Sequence, residues 1–228
     1  MYNSINNTLV SGTSYADTIT NYAHHVTIQT GAGNDSIFSY NMVNSSYTAI
    51  SSRASYSLID AGDGNDNIKN FGNDHCTVYG GNGNDSITNT GQYSTIFGGV
   101  GNDTIWNWES GWSDYSKRDQ SYYSVLDGGD GNDYIGSGYG QYNTLIGGTG
   151  NDTIKINNNS SYNLIYYDSG DGNDIVYGFG SSDTICLTGG DYSTYSTQKS
   201  GSDTIIKVGR GQISVKNYTG NVNIVTPF

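Results

Sequence analysis

Gly80-Gly-Asn-Gly-Asn-Asp-Ser-Ile-Thr-Asn-Thr-Gly-Gln-Tyr-Ser-Thr-Ile-Phe-Gly-Gly99 contains one complete structural unit and the start of the next. The pentapeptide Gly-x-Gly-Asn-Asp within it recurs seven times without a mismatch, closing at Asp35, Asp66, Asp85, Asp103, Asp133, Asp152 and Asp174. Successive closing aspartates lie 31, 19, 18, 30, 19 and 22 residues apart. The unit is therefore 18 or 19 residues, and the two long intervals are that unit plus about a dozen inserted residues. An aliphatic residue follows two positions after each Asp: Ile37, Ile68, Ile87, Ile105, Ile135, Ile154 and Val176. A second aliphatic falls nine or ten residues earlier, in the pairs Ile28 and Ile37, Ile59 and Ile68, Val78 and Ile87, Ile96 and Ile105, Leu126 and Ile135, and Leu145 and Ile154. One unit thus reads as a coil of two short strands and two turns.

A single coil cannot bury its own aliphatic residues, but stacked coils place each Ile over the next and pair every strand with its neighbours, as in a parallel sheet. The expected fold is all-β: a parallel β-roll or β-helix solenoid with about 18–19 residues per coil. Composition agrees. The chain has 33 Gly, one Pro, 21 Tyr and only 13% charged residues, a vocabulary of turns and strands and not of helices. The expected organisation is a degenerate N-terminal coil over 1–20, a solenoid over 21–186 with insertions at 38–57 and 106–124, and a C-terminal cap of strands over 187–228.

With about one large aliphatic per nine residues, burial at ~25 cal/mol per Å² falls short of an ordering cost of ~1–2 kcal/mol per residue. The turns need a further source of stability. Glycines allow positive φ, so each turn can curl its carbonyl oxygens inward while the closing Asp adds a carboxylate, a donor set suited to calcium, which takes six to eight oxygens in a flexible shell. The expected ligands are Gly31, Gly33 and Asp35; Gly62, Gly64 and Asp66; Gly81, Gly83 and Asp85; Gly99, Gly101 and Asp103; Gly129, Gly131 and Asp133; Gly148, Gly150 and Asp152; and Gly170, Gly172 and Asp174. Some turns add Asp60, Asp63, Asp127, Asp130, Asp168 or Asp171, and degenerate turns near Asp17, Asp183 and Asp203 are candidates to extend the row. Ions set between seven turns give about six Ca2+ in one row. Without them, aspartates ~5 Å apart repel one another.

These turns resemble the nonapeptide repeats of RTX, or haemolysin-type, calcium-binding proteins, as in Gly80 to Ile87 and Gly147-Gly-Thr-Gly-Asn-Asp-Thr-Ile154, and the likeness runs from about residue 12 to 206. Gly201 to Val208 and Gln212 to Asn217 resemble the strands that close such arrays. The resemblance implies a parallel β-roll, calcium-driven folding outside the cell and type I secretion from a low-calcium cytosol. It departs from the family in one respect: only every second turn carries the Asp, so calcium is expected on one edge. Along the other edge Asn21, Ser39, Asn70, Asn89, Asn107 and Ser137 recur in register and are expected to form a hydrogen-bonded ladder.

The formal charge of −12 disfavours nucleic acid and anionic membranes. No apolar run is long enough to span a bilayer, and the N-terminal MYNSINNTLV lacks the regions of a cleavable signal. Cys76 and Cys186 lie about five coils apart, too far for a bridge. Aromatic residues crowd the insertions, with Trp106, Trp108, Trp112, Tyr122 and Tyr123 in or beside the second, a candidate platform for a cell-surface glycan or protein. No His-Glu-x-x-His or Gly-x-Ser-x-Gly motif is present, and no spacing isolates a catalytic set. The sequence therefore points to a monomeric, extracellular or cell-surface calcium-binding structural or adhesive module, not an enzyme; the alternative is a polysaccharide-binding or polysaccharide-modifying solenoid that uses the aromatic insertions.

Overall fold

The computed structural model describes residues 1–40, 56–107, 122–138, 140–189 and 195–226. Trp108 and Trp112 lie outside them, as do residues 41–55 and 108–121 of the two insertions. Every regular element among the described residues is a strand: β1 (Tyr2–Asn3), β2 (Leu9–Ser11), β3 (Thr18–Asn21), β4 (Thr27–Gln29), β5 (Ser36–Tyr40), β6 (Leu58–Asp63), β7 (Asn67–Phe71), β8 (Thr77–Asn82), β9 (Ser86–Asn89), β10 (Thr95–Val100), β11 (Thr104–Asn107), β12 (Val125–Asp130), β13 (Tyr134–Ser137), β14 (Thr144–Thr149), β15 (Thr153–Ile156), β16 (Leu164–Asp168), β17 (Asn173–Tyr177), β18 (Thr184–Thr188), β19 (Ser196–Ser200), β20 (Asp203–Val208), β21 (Gly211–Val215) and β22 (Asn223–Val225).

Odd-numbered strands from β1 to β17 form one parallel sheet, which β21, β20 and β19 complete; even-numbered strands from β2 to β18, then β22, form the other. The chain alternates between sheets at every turn, which is the parallel solenoid. Register follows the aliphatic pattern: Ile37 lies beside Ile68, Ile68 beside Ile87, Ile87 beside Ile105, and onward to Ile154 and Val176. In the facing sheet Ile28, Ile59, Val78, Ile96, Leu126, Leu145, Ile165 and Ile185 form the matching column. All of these side chains are buried. Two columns, one side chain wide, make up most of the core.

The core broadens only near the C-terminus, where Ile156, Tyr167, Phe179, Leu187, Ile206, Val208, Ile213 and Val215 join it. There β19, β20 and β21 pair antiparallel, while β21 and β22 rejoin the parallel stack against β17 and β18. Two strands run into the stretches counted as insertions. Phe38, Ser39 and Tyr40 pair with β7, and Trp106 and Asn107 pair with β13, so the departures begin after Tyr40 and Asn107. Cys76 and Cys186 are buried and form no disulfide with each other.

Candidate calcium site

The seven Gly-x-Gly-Asn-Asp turns stack along one edge, where the even-numbered strands pass into the odd-numbered ones. Gly81 (φ 116°) and Gly83 (φ 131°) show why the glycines are needed. Both adopt a backbone that L side chains rarely take, and a Cβ on either would overlap the carbonyl oxygen of Gly62 or Gly64 in the coil before. Those oxygens thereby form two columns along the edge.

Each Asp side chain reaches back one coil. Oδ1 of Asp66 accepts the backbone N–H of Asp35 (2.6 Å), that of Asp85 accepts from Asp66 (2.8 Å), that of Asp103 from Asp85 (2.7 Å), that of Asp133 from Asp103 (2.7 Å), and that of Asp152 from Asp133 (2.7 Å). Just outside, the neighbouring asparagines run the opposite way: the N–H of Asn84 donates to Oδ1 of Asn65, and that of Asn102 to Asn84. One carboxylate oxygen per coil is thus committed to the protein.

The other is not. Oδ2 of Asp35, Asp66, Asp85, Asp103, Asp133 and Asp152 is buried and has no hydrogen-bond partner. Leaving a carboxylate oxygen so placed is costly. Desolvation pushes the carboxyl groups of Asp85 and Asp133 up to about 6, of Asp103 and Asp174 to about 7 and of Asp152 to about 8, and neighbouring carboxylates add to the rise while the coil-to-coil hydrogen bond opposes it. Beside four of these oxygens stand Gly80, Gly98, Gly128 and Gly147, and a Cβ at any of them would collide with Oδ2 of Asp85, Asp103, Asp133 or Asp152. Among the described residues no three acidic, histidine or cysteine side chains converge, so a cation here must draw most of its ligands from peptide oxygens. Orphaned carboxylate oxygens beside glycine carbonyls suit a hard divalent cation that accepts backbone oxygens.

Three residues depart from expectation. Gly170 lacks the positive φ of its counterparts and meets no neighbour, because the interval before Asp174 is 22 residues and the extra length shifts the start of that turn. Asp183 lies on the opposite edge, at the register of Asn163, whose N–H donates to its Oδ1 (2.9 Å), while Gly180 N–H donates to its Oδ2 (2.8 Å). Asp203 belongs to the cap, where it pairs with Lys216 (2.9 Å). The row has protein stops at both ends. Asp17 Oδ2 accepts the N–H and hydroxyl of Thr13 (2.6 and 2.9 Å), and beyond Asp174 the buried Tyr167 hydroxyl donates to Gly172 O (2.5 Å).

The opposite edge holds the expected amide ladder as far as Asn107, whose Nδ2 is buried without a partner and does not reach Ser137. Nδ2 of Asn3 donates to Asn21 (2.9 Å), that of Asn21 to Ser39 (3.1 Å), that of Asn70 to Asn89 (2.7 Å) and that of Asn89 to Asn107 (2.8 Å), all within the core. Asn73 bridges Ser39 and Asn70 (3.1 and 2.9 Å), and Ser137 meets Ser160 (3.0 Å). Of the aromatic residues singled out beforehand, Trp106 lies against Tyr134 (4.9 Å between ring centres) and over Gly136, where a Cβ would strike its ring. Tyr123 is exposed, with Tyr122 half-buried beside it.

A second aromatic feature, on the same edge, escaped the sequence reading. His25, Tyr56, His75, Tyr93, Tyr123, Tyr142 and Tyr162 stack ring on ring, with centres 4.8–5.7 Å apart. A signal was available, since each stands three residues before a second-strand aliphatic: Ile28, Ile59, Val78, Ile96, Leu126, Leu145 and Ile165.

The RTX calcium-binding nonapeptide repeat matches the chain in four copies, over residues 25–41, 79–108, 137–155 and 167–193. No curated protein matches the sequence. Among solved structures, the extracellular lipase LipA from Serratia marcescens is similar at 14% identity and a TM-score of 0.43, over 95% of this chain and 38% of the lipase chain. The chain thus spans well under half of that neighbour. Glycine turns, closing aspartates and matched repeats share one register, and the chain carries RTX calcium-binding nonapeptide repeats in four copies.

Proposed function

We propose that the chain is a calcium-folded structural and adhesive module of a secreted or cell-surface protein. The observation that carries this reading is the file of six buried carboxylate oxygens without partners, in a solenoid whose core is two side-chain columns. About six Ca2+ in one row, each between adjacent turns, would hold Asp35, Asp66, Asp85, Asp103, Asp133, Asp152 and Asp174 together with carbonyl oxygens of the turn glycines, Gly170 excepted. The cation supplies the positive charge that lets the carboxylates ionise and stack. In a low-calcium cytosol the chain would stay expanded, which suits type I secretion, and would fold on reaching calcium outside. The coil to residue 20, the solenoid to 186 and the cap from 187 would then be one continuous stack, with no catalytic role assigned to it.

The test is calcium titration at pH 8 followed by circular dichroism, with calorimetry to count ions. The expected result is a cooperative gain of β signal with about six calcium ions per chain. A β spectrum indifferent to chelation would sink the reading, and attachment to cells equal with and without calcium would remove its adhesive part.

A further inference from the structure

The seven-ring ladder is strained as well as ordered. All seven residues have φ between 42° and 58°, a left-handed conformation that non-glycine residues seldom adopt and that favours Asn or Gly over an aromatic. The first coil shows the cheaper solution, with Asn7 at the equivalent position and φ 57°. A backbone outlier repeated seven times in register points to use of the side chain. The rings are also exposed: Tyr56, Tyr93, Tyr123, Tyr142 and Tyr162 keep 44–59% of their surface in water. Parallel rings with centres near 5 Å apart stack with an offset, so each leaves part of a face uncovered beside its polar edge.

Asp74, Gln92, Gln141 and Ser161, each half-buried, stand one residue before a ring and place hydrogen-bonding groups along the same strip. No Lys or Arg accompanies the rings at these positions. The strip therefore joins apolar faces, hydrogen-bonding groups and a strict period of one coil, without the cations that a polyanion needs.

We infer that this ladder is a binding strip for an extended, uncharged polysaccharide, a β-linked hexose chain whose sugars repeat close to the coil spacing of about 4.8 Å. Six such spacings give a strip of roughly 30 Å, room for about six sugars in line. A globular protein partner has no matching repeat, and a second solenoid, which has one, is separated by the test, whereas an extended glycan meets each ring with an equivalent sugar. The inference rests on the reading of the chain as a calcium-folded solenoid, because only stacked coils align the rings.

The test compares the calcium-loaded wild type with the triple variant Tyr93→Asn, Tyr123→Asn, Tyr142→Asn, which places at three coils the residue that the first coil already uses. Both are mixed with cellulose and chitin powders, with alginate gel as the anionic control, and depletion from solution is measured. The wild type is expected to be depleted by cellulose or chitin, and the variant at least tenfold less, with the same calcium-dependent dichroism. The strip is overturned if neither powder depletes the folded wild type, if the variant binds equally, if only alginate binds, or if light scattering shows a ring-dependent dimer in place of glycan binding. Dichroism with and without calcium is read on the same samples. A spectrum that ignores calcium defeats the earlier reading, while depletion still decides the strip.

Discussion

The two edges of the solenoid close the same coil with different chemistry. On the amide edge, Asn21, Asn70 and Asn89 donate to side chains of the next coil and also to turn carbonyls of Ala23, Asn73 and Gly91. On the aspartate edge, one oxygen per coil is satisfied and its twin is buried without a partner. The first edge satisfies its buried groups except Asn73 Oδ1 and Asn107 Nδ2, whereas the second leaves a carboxylate oxygen open at six successive coils, which the proposed cations would complete. On the proposed reading an acidic residue serves as a structural ligand where glycine carbonyls surround it, and a neutral amide does the corresponding work where protein groups suffice.

The strongest way to break this contrast is pH, because it acts on the whole row. In metal-free protein, burial raises the carboxyl groups of Asp85, Asp103, Asp133, Asp152 and Asp174 to between about 6 and about 8, above their unfolded values near 4. Folded protein then holds more protons than unfolded protein, so stability is full below about pH 4 and is lost as pH rises through the folded values. Thermal melting in chelator is expected to show the highest Tm near pH 4 and a steady fall toward pH 8. Saturating calcium should remove that fall, and a flat profile in chelator would break the contrast.

Next in size is Gly83→Ala, which combines positive φ with a Cβ that would overlap Gly64 O. A loss of about 3 kcal/mol or more in calcium is expected from denaturant melts. Asp103→Asn sharpens the point, since it keeps an acceptor for Asp85 N–H but removes the charge. It is expected to cost about 1–3 kcal/mol in calcium and to move upward the pH at which the chelated chain unfolds, a reversal of sign that a merely structural Asp would not show. Asn89→Ala removes an amide from the opposite edge, and about 1–2 kcal/mol is expected, with calcium stoichiometry unchanged by calorimetry. Smallest of all, Lys216→Ala in the cap breaks a partly exposed ion pair with Asp203 and should cost under about 1 kcal/mol.

The fold was legible because its period is written in identical letters. Ile68, Ile87 and Ile105 occupy the same place after each Asp, and a register error would turn them out to water. The amide ladder was legible for the same reason. What sequence could not reveal was the division of labour within one carboxylate, because Oδ1 of Asp103 finds Asp85 N–H only once coils stack. Spacing also misled where length varies. Gly170 keeps its letter but loses its conformation within a 22-residue interval, and Asp183 follows a turn of the opposite edge. The ring ladder is hidden among 21 tyrosines and mixes His with Tyr, and only stacking of the coils turns its fixed offset into ring contact.

Because a coil touches only the coils before and after it, the molecule has a mechanical character that a globular domain lacks. Pulled from its ends, it has no central core to fail at once; it can shed one coil at a time, the regular coils each releasing 18 or 19 residues, or about 60 Å of chain at ~3.3–3.6 Å per residue, and the three longer ones 22, 30 and 31 residues. A stack of that kind would dissipate load in steps and, on the proposed calcium-folded reading, would re-form coil by coil when slack returns.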